Sequence, residues 1–156
     1  MDSDGPWGIA LAPPASALFE PFASFAADVH VKFGPQGNEN DDRFDVNATV
    51  GLGAGSDGIN PLTENVTLGI GAFSTVVPAG LFKPANGNKN DFEFDGQIKG
   101  VTLKVTIQSL FGGFFSLKAQ GRDSNLGGTI NPVPVKLAIG NDSGSVVVTA
   151  QLTPRN

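Results

Sequence analysis

The chain has 156 residues, ten Lys+Arg against fifteen Asp+Glu for a net charge of −5, no Cys, no Tyr, one His and one Trp. A disulfide framework, a cysteine-ligated zinc site and a cysteine nucleophile are excluded, and the acidic balance argues against nucleic-acid binding, which needs a basic face. No run of 18 or more apolar residues exists to form a spanning helix.

Residues 1–28 are rich in Ala, Pro and Phe. The opening MDSDGPWGIALAPPASALFEPF has acidic rather than basic first residues, unlike a signal peptide. Within SALFEPFASFAAD, Leu18, Phe22 and Phe25 sit at helical spacing, and Pro21 restricts a helix to starting near it. An extended arm whose phenylalanines dock on a sheet is the equal alternative.

From Val29 the pattern has period two. Phe44, Val46, Ala48 and Val50 alternate with polar residues, as do Val66, Leu68 and Ile70. Phe92 and Phe94 face away from Asp91, Glu93 and Asp95. Val101, Leu103, Val105 and Ile107 alternate with Thr102, Lys104, Thr106 and Gln108, and Phe115, Leu117 and Ala119 with Ser116, Lys118 and Gln120. These last two runs read as a hairpin around Gly112-Gly113. Val135, Leu137 and Ile139 form another run, and Val146, Val148, Ala150 and Leu152 a further one. Turn signals stand at Asn86-Gly87, Gly127-Gly128 and Asn141-Asp-Ser-Gly144. About ten short strands between such turns predict an all-β antiparallel sandwich or barrel. No amphipathic helices alternate with them, so an α/β fold is not expected.

The chain repeats internally. Gly-Asn-x-Asn-Asp-x-x-Phe-Asp occurs at 37–45 and at 87–95, and Ile59-Asn-Pro61 recurs as Ile130-Asn-Pro132. NVTLGIGAFSTVV at 65–77 is followed by its counterpart PVKLAIGNDSGSVVV at 134–148. The predicted organisation is an N-terminal arm over 1–28, then one β domain over 29–156 built from two units, about 29–80 and 81–152. The second unit carries an added hairpin at roughly 101–121. Units this short are expected to share one core.

The Asn/Asp/Gly loop after Phe82-Lys-Pro84, the strand Phe94-Asp-Gly-Gln-Ile98 and the turn Ile139-Gly-Asn-Asp-Ser-Gly144 resemble β-strand repeat modules of uncharacterised secreted bacterial proteins. That resemblance implies an extracellular or cell-surface location and β architecture. It supplies no catalytic residue.

The repeated loops are the candidate metal site. Asn40, Asp41, Asp45, Asn90, Asp91 and Asp95 offer the hard oxygens that calcium takes, about six to eight of them. The same residues are also what long hairpin loops require as turn formers. Asp91 and Asp95 could stand at glycosidase spacing, but Trp7 is the only candidate sugar platform besides phenylalanine. His30 is predicted on a wet strand face. Twelve Phe without Tyr make the aromatic content apolar. Phe19, Phe22 and Phe25 in the arm, with Phe111, Phe114 and Phe115 near the hairpin tip, are either core or an interaction patch. The sequence reading is thus a non-catalytic structural or interaction module that associates with itself or another surface protein. Its alternatives are a calcium-dependent ligand- or carbohydrate-binding sandwich, and a filament or shell subunit exchanging its N-terminal arm.

Overall fold

The computed structural model describes residues 20–37, 40–85 and 88–155, with backbone alone at 88–89. Among these, twelve strands form two facing mixed sheets, and the fold is an all-β sandwich.

The larger sheet holds β2 (Ser24–Lys32), β3 (Asp42–Gly51), β6 (Lys83–Ala85), β7 (Asn88–Ile98), β8 (Val101–Ser109), β9 (Phe114–Ser124) and β12 (Gln151–Thr153). Its order is β12-β2-β3-β9-β8-β7-β6. The smaller sheet holds β1 (Glu20–Pro21), β4 (Val66–Ile70), β5 (Phe73–Val77), β10 (Val133–Ile139) and β11 (Asp142–Val148), ordered β1-β11-β10-β4-β5. Among the described strands, β1 beside β11 and β12 beside β2 are the parallel pairs.

The alternation explains the layers. Val46, Leu103, Ile107, Leu117 and Phe44 of the large sheet, and Ile70, Leu137 and Ile139 of the small one, are all but completely buried in one core. Burying each such side chain contributes about 1.5–3 kcal/mol. The polar members of the same strands, such as Lys104 and Gln108, face water.

The register gives the two units an approximate two-fold relation. β10 and β4 lie side by side with Leu137 opposite Leu68, Val135 opposite Ile70 and Ile139 opposite Val66. These are the equivalent residues of the two related segments, so the axis runs between Leu68 and Leu137. The turns obey it too: the Gly71 amide donates to the Pro134 carbonyl at 2.9 Å, and the Gly140 amide to the Asn65 carbonyl at 3.0 Å. In the large sheet the added β8–β9 hairpin lies at the centre, with β3 and β7 flanking it.

Three expectations change or gain detail. Residues 20–28 are extended, so the helix over 16–28 does not form in its described part. Pro21 lies in β1, which runs beside β11 and needs no helical turn. The run through Leu152 is not one strand: β11 ends at Val148, the chain crosses the sandwich, and β12 joins the other sheet. Asn131 bridges this crossing, its side chain donating to the Ala150 carbonyl at 2.9 Å and accepting from the Ala150 amide at 2.8 Å. Finally, the predicted turn at 141–144 is one step earlier. Gly140 takes φ 61° and Asp142 already begins β11. The Asn86-Gly87 turn and most of the N-terminal arm, residues 1–19, lie outside the described residues.

Candidate functional site

The two ends of the sandwich differ chemically. One end gathers the start of β3, the end of β9 and the C-terminus. Here Asp42 is fully buried. Its Oδ1 accepts from the Gly34 amide and from Arg155 Nη1, both at 2.8 Å. Its Oδ2 accepts from the Leu126 amide at 2.8 Å and from Arg155 Nη2 at 3.1 Å. The Arg155 guanidinium also lies 5.3 Å from the centroid of the Phe33 ring. Burial pushes the Asp42 carboxyl up, but the two amides and Arg155 outweigh it and leave it below its ordinary value. This is a closed structural clasp with every oxygen engaged. Beside it, an open cleft of about 830 Å³ is lined by Ser74, Val76, Lys99, Asp123 and Asn125, with Asn40 at its rim. Lys99 and Asp123 have φ of 50° and 59°, conformations non-glycine residues adopt seldom.

The opposite end carries the β8–β9 tip. Leu110 closes it, its amide donating to the Phe114 carbonyl at 2.8 Å. The chain reverses over Phe111–Gly113, where Gly112 and Gly113 take positive φ, at 77° and 83°, a left-handed backbone that glycine adopts without steric cost. The result is that Phe111 is 98% exposed, with Leu110 and Phe114 partly exposed beside it. The Leu52 amide donates to the Gly113 carbonyl, joining the tip to the 52–65 loop. Between tip and loop lies an apolar cleft of about 230 Å³, lined in part by Leu52, Ile59, Leu110 and Phe114.

The same loop brings four acids together. Glu20 and Asp142 are directly paired between β1 and β11. The Glu20 carboxylate accepts from the Gly55 amide at 3.3 Å. Glu64 Oε1 accepts from the Asn60 amide at 2.6 Å, while Oε2 covers the spot where a Cβ on Gly140 would sit. Asp142 is fully buried, and neither of its carboxylate oxygens has a hydrogen-bond partner. The Ser56 hydroxyl lies close enough to favour its charged form, yet outside hydrogen-bond geometry. Burial first, then the negative charges of Asp57 and Glu20, hold the Asp142 carboxyl above its ordinary value. Glu64 is raised likewise, by burial and by Asp142 and Asp57.

The sequence-predicted site residues are dispersed. Asp45 lies opposite His30 on one side and Gln120 on the other, Gln120 opposite Lys104, and Lys104 opposite Asp95. Asp45 and Asp95 thus share one wet row, but three strand spacings, about 14 Å, separate them. β3 and β7 run in opposite directions, so Asn40 and Asp41 lie at the clasp end while Asn90 and Asp91 lie at the tip end. Asp91 Oδ1 accepts from the Ser109 amide at 3.1 Å. Any ion would therefore have to be held by one loop alone. The aromatic patch also divides. Phe22 packs edge-on to Phe25 and to Phe115, at 5.7 and 6.2 Å between centroids, and Phe115 is buried. Phe111 and Phe114 remain at the surface, and Phe19 is outside the described residues. His30 is exposed, as its strand position predicts.

Sequence reasoning passed over Asp42, Asp142, Glu20, Asp57, Glu64 and Arg155. A signal for the first two was present. Asp42 aligns with Phe92 of the second unit, and Asp142 follows a two-residue turn where Phe73 follows its own. A carboxylate at a position where the sister unit buries a phenylalanine needs a reason. No protein-family model, no curated protein and no solved structure matches this chain.

Proposed function

We propose that this chain is a non-catalytic contact module of an extracellular or cell-surface protein, and that it associates with a second copy through the β8–β9 end. The observation that carries the reading is Phe111, 98% exposed on a glycine-bounded tip. Leaving a phenylalanine in water forgoes about 1.5–3 kcal/mol. The apolar cleft of about 230 Å³ beside the tip suits a single aromatic ring. Reciprocal insertion of one tip into the other copy's cleft would make a self-complementary two-fold contact. The extracellular location is supported by the likeness of the turn motifs to secreted bacterial repeats. A non-catalytic role is supported by the chemistry at hand: the single histidine faces solvent, and the Asp42 carboxylate is locked in an ion pair.

Light scattering across a concentration series tests this. The wild-type mass should climb toward the dimer, and Phe111→Ser should stay monomeric with an unchanged melting temperature. A wild-type chain that remains monomeric, or a variant that associates equally well, overturns the reading.

A second reading, ligand binding, is favoured by the cleft of about 830 Å³, where Lys99 and Asp123 hold unfavourable backbone conformations. Calorimetric titration with neutral oligosaccharides is its test, with Asp123→Ala expected to abolish the heat. No heat with the wild type removes this reading.

A further inference from the structure

The geometry points to a binding site for a hard divalent cation of calcium size, formed by the carboxylates of Glu20, Asp57, Glu64 and Asp142 around the β10–β11 turn. This inference stands apart from the dimer reading, since it rests on the acidic side of the 52–65 loop rather than on Phe111.

Three separate segments converge here. Strand pairing sets Glu20 against Asp142. The Gly55 amide holds the Glu20 carboxylate over the 53–55 turn. The Asn60 amide holds Glu64 against Gly140, two residues before Asp142. Asp57, on the same loop as Glu64, lies near enough for its negative charge to act on both Asp142 and Glu64.

The independent observation is Asp142 itself. It is wholly inaccessible to solvent, and both its oxygens lack a hydrogen-bond partner. Such a group costs several kcal/mol unless something positive meets it. At the other end of the same molecule Asp42 is equally buried and has two amides and a bidentate arginine. The charges acting on Asp142 and Glu64 are all negative. A cation supplies the missing counter-charge, and four carboxylates provide the all-oxygen set that calcium prefers to softer metals.

Among the described residues no three acidic or histidine side chains already converge on one point as a finished metal cage. Glu20 and Glu64, each held by one backbone amide, have the side-chain length to swing inward around an ion. The Ser56 hydroxyl, which accepts from the Gly58 amide at 3.0 Å, stands ready as a neutral oxygen ligand. Magnesium fits less well, because it demands near-octahedral geometry and keeps its water. Binding would fasten the 52–65 loop to β1 and β11.

The test is equilibrium dialysis with radioactive calcium, together with thermal melts in millimolar calcium, in magnesium and in chelator. The wild type should bind about one calcium per chain and gain about 5 °C or more over chelator. Asp142→Asn and Glu64→Gln should lose both effects. Should a buried substitution fail to fold, Asp57→Asn, at an exposed position, should weaken binding at least tenfold with the fold intact. Asp91→Asn and Asp95→Asn should behave as wild type. The inference is overturned if the wild type neither binds nor shifts, if Asp57→Asn and Asp142→Asn keep wild-type affinity, or if binding is instead lost in Asp91→Asn or Asp95→Asn.

Discussion

Phe73 and Asp142 occupy the same place in the two related hairpins, each the first residue after a two-residue turn, opposite Ile70 and Ile139 respectively. Phe73 packs its ring 5.3 Å from that of Phe44 and belongs to the core. Asp142 is buried as deeply, with no partner for its carboxylate. The fold would accept an apolar side chain there, since its sister position has one. Asp142→Leu should therefore stabilise the protein in chelator, by about 1–4 kcal/mol, the range found even where buried ions that do have partners are replaced by apolar groups. Melting followed by circular dichroism in chelator checks this. A lower melting temperature would mean that Asp142 supports the cation-free fold in its own right.

Asp42 gives the opposite expectation. It also replaces a phenylalanine of the sister unit, but it binds Gly34, Leu126 and Arg155 together. Asp42→Ala leaves two buried amides unpaired and Arg155 without its carboxylate, and should cost about 3–5 kcal/mol, or roughly 10 °C in melting temperature. Because the folded carboxyl lies below its ordinary value, the folded state binds its proton less tightly than the unfolded chain does. Its contribution is complete above the ordinary carboxylate range and fades as pH falls through the lowered value. Melting curves taken downward from about pH 5 should fall more steeply for the wild type than for Asp42→Asn. Parallel curves would remove Asp42 from the acid response.

The sandwich was legible in the sequence because each strand buries one face, and period-two runs such as Val101 to Ile107 record that directly. The hairpin around Gly112-Gly113 was legible for the same reason, reinforced by glycines that tolerate positive φ. What could not be read was pairing across distance. Nothing local to Asp42 announces Arg155, and nothing local to Asp142 announces Glu20 or Glu64. The acidic loops at 37–45 and 87–95 drew attention because their residues cluster in sequence. Yet the reversal of β7 relative to β3 carries the two loops to opposite ends. Even the two-sheet crossing after Val148 was hidden, since Ala150 and Leu152 continue the alternation while the chain changes sheets.

Gly121 provides a packing prediction. It pairs with Phe44 across β3 and β9, and a Cβ added to it would fall inside contact distance of the Phe44 ring. The ring is almost fully buried and belongs to the central core, so it has little room to withdraw. Gly121→Ala should cost about 1–3 kcal/mol, lowering the melting temperature by several degrees. The paired variant Gly121→Ala/Phe44→Leu should recover part of the loss. If the single variant melts like the wild type, the ring is less tightly held than its burial implies.

Asn131 provides the last. Where the chain leaves β11 for β12 it has no ladder partner on either sheet, and the Asn131 side chain substitutes for one. It donates to the carbonyl and accepts from the amide of the same residue, Ala150, which is itself buried. At neutral pH a carboxamide offers that donor and acceptor pair at this reach, whereas an ionised carboxylate of the same shape only accepts. Asn131→Ala leaves both backbone groups unmatched and should cost about 2 kcal/mol. Asn131→Asp keeps the shape but lacks the donor, so it should lose nearly as much at neutral pH and recover part of the loss when protonated. The site of damage should be local: hydrogen exchange should speed up at the Ala150 amide and along β12, while amides of β8 and β9 keep their protection. Uniform loss of protection across both sheets would instead mean that the crossing is part of the global folding unit.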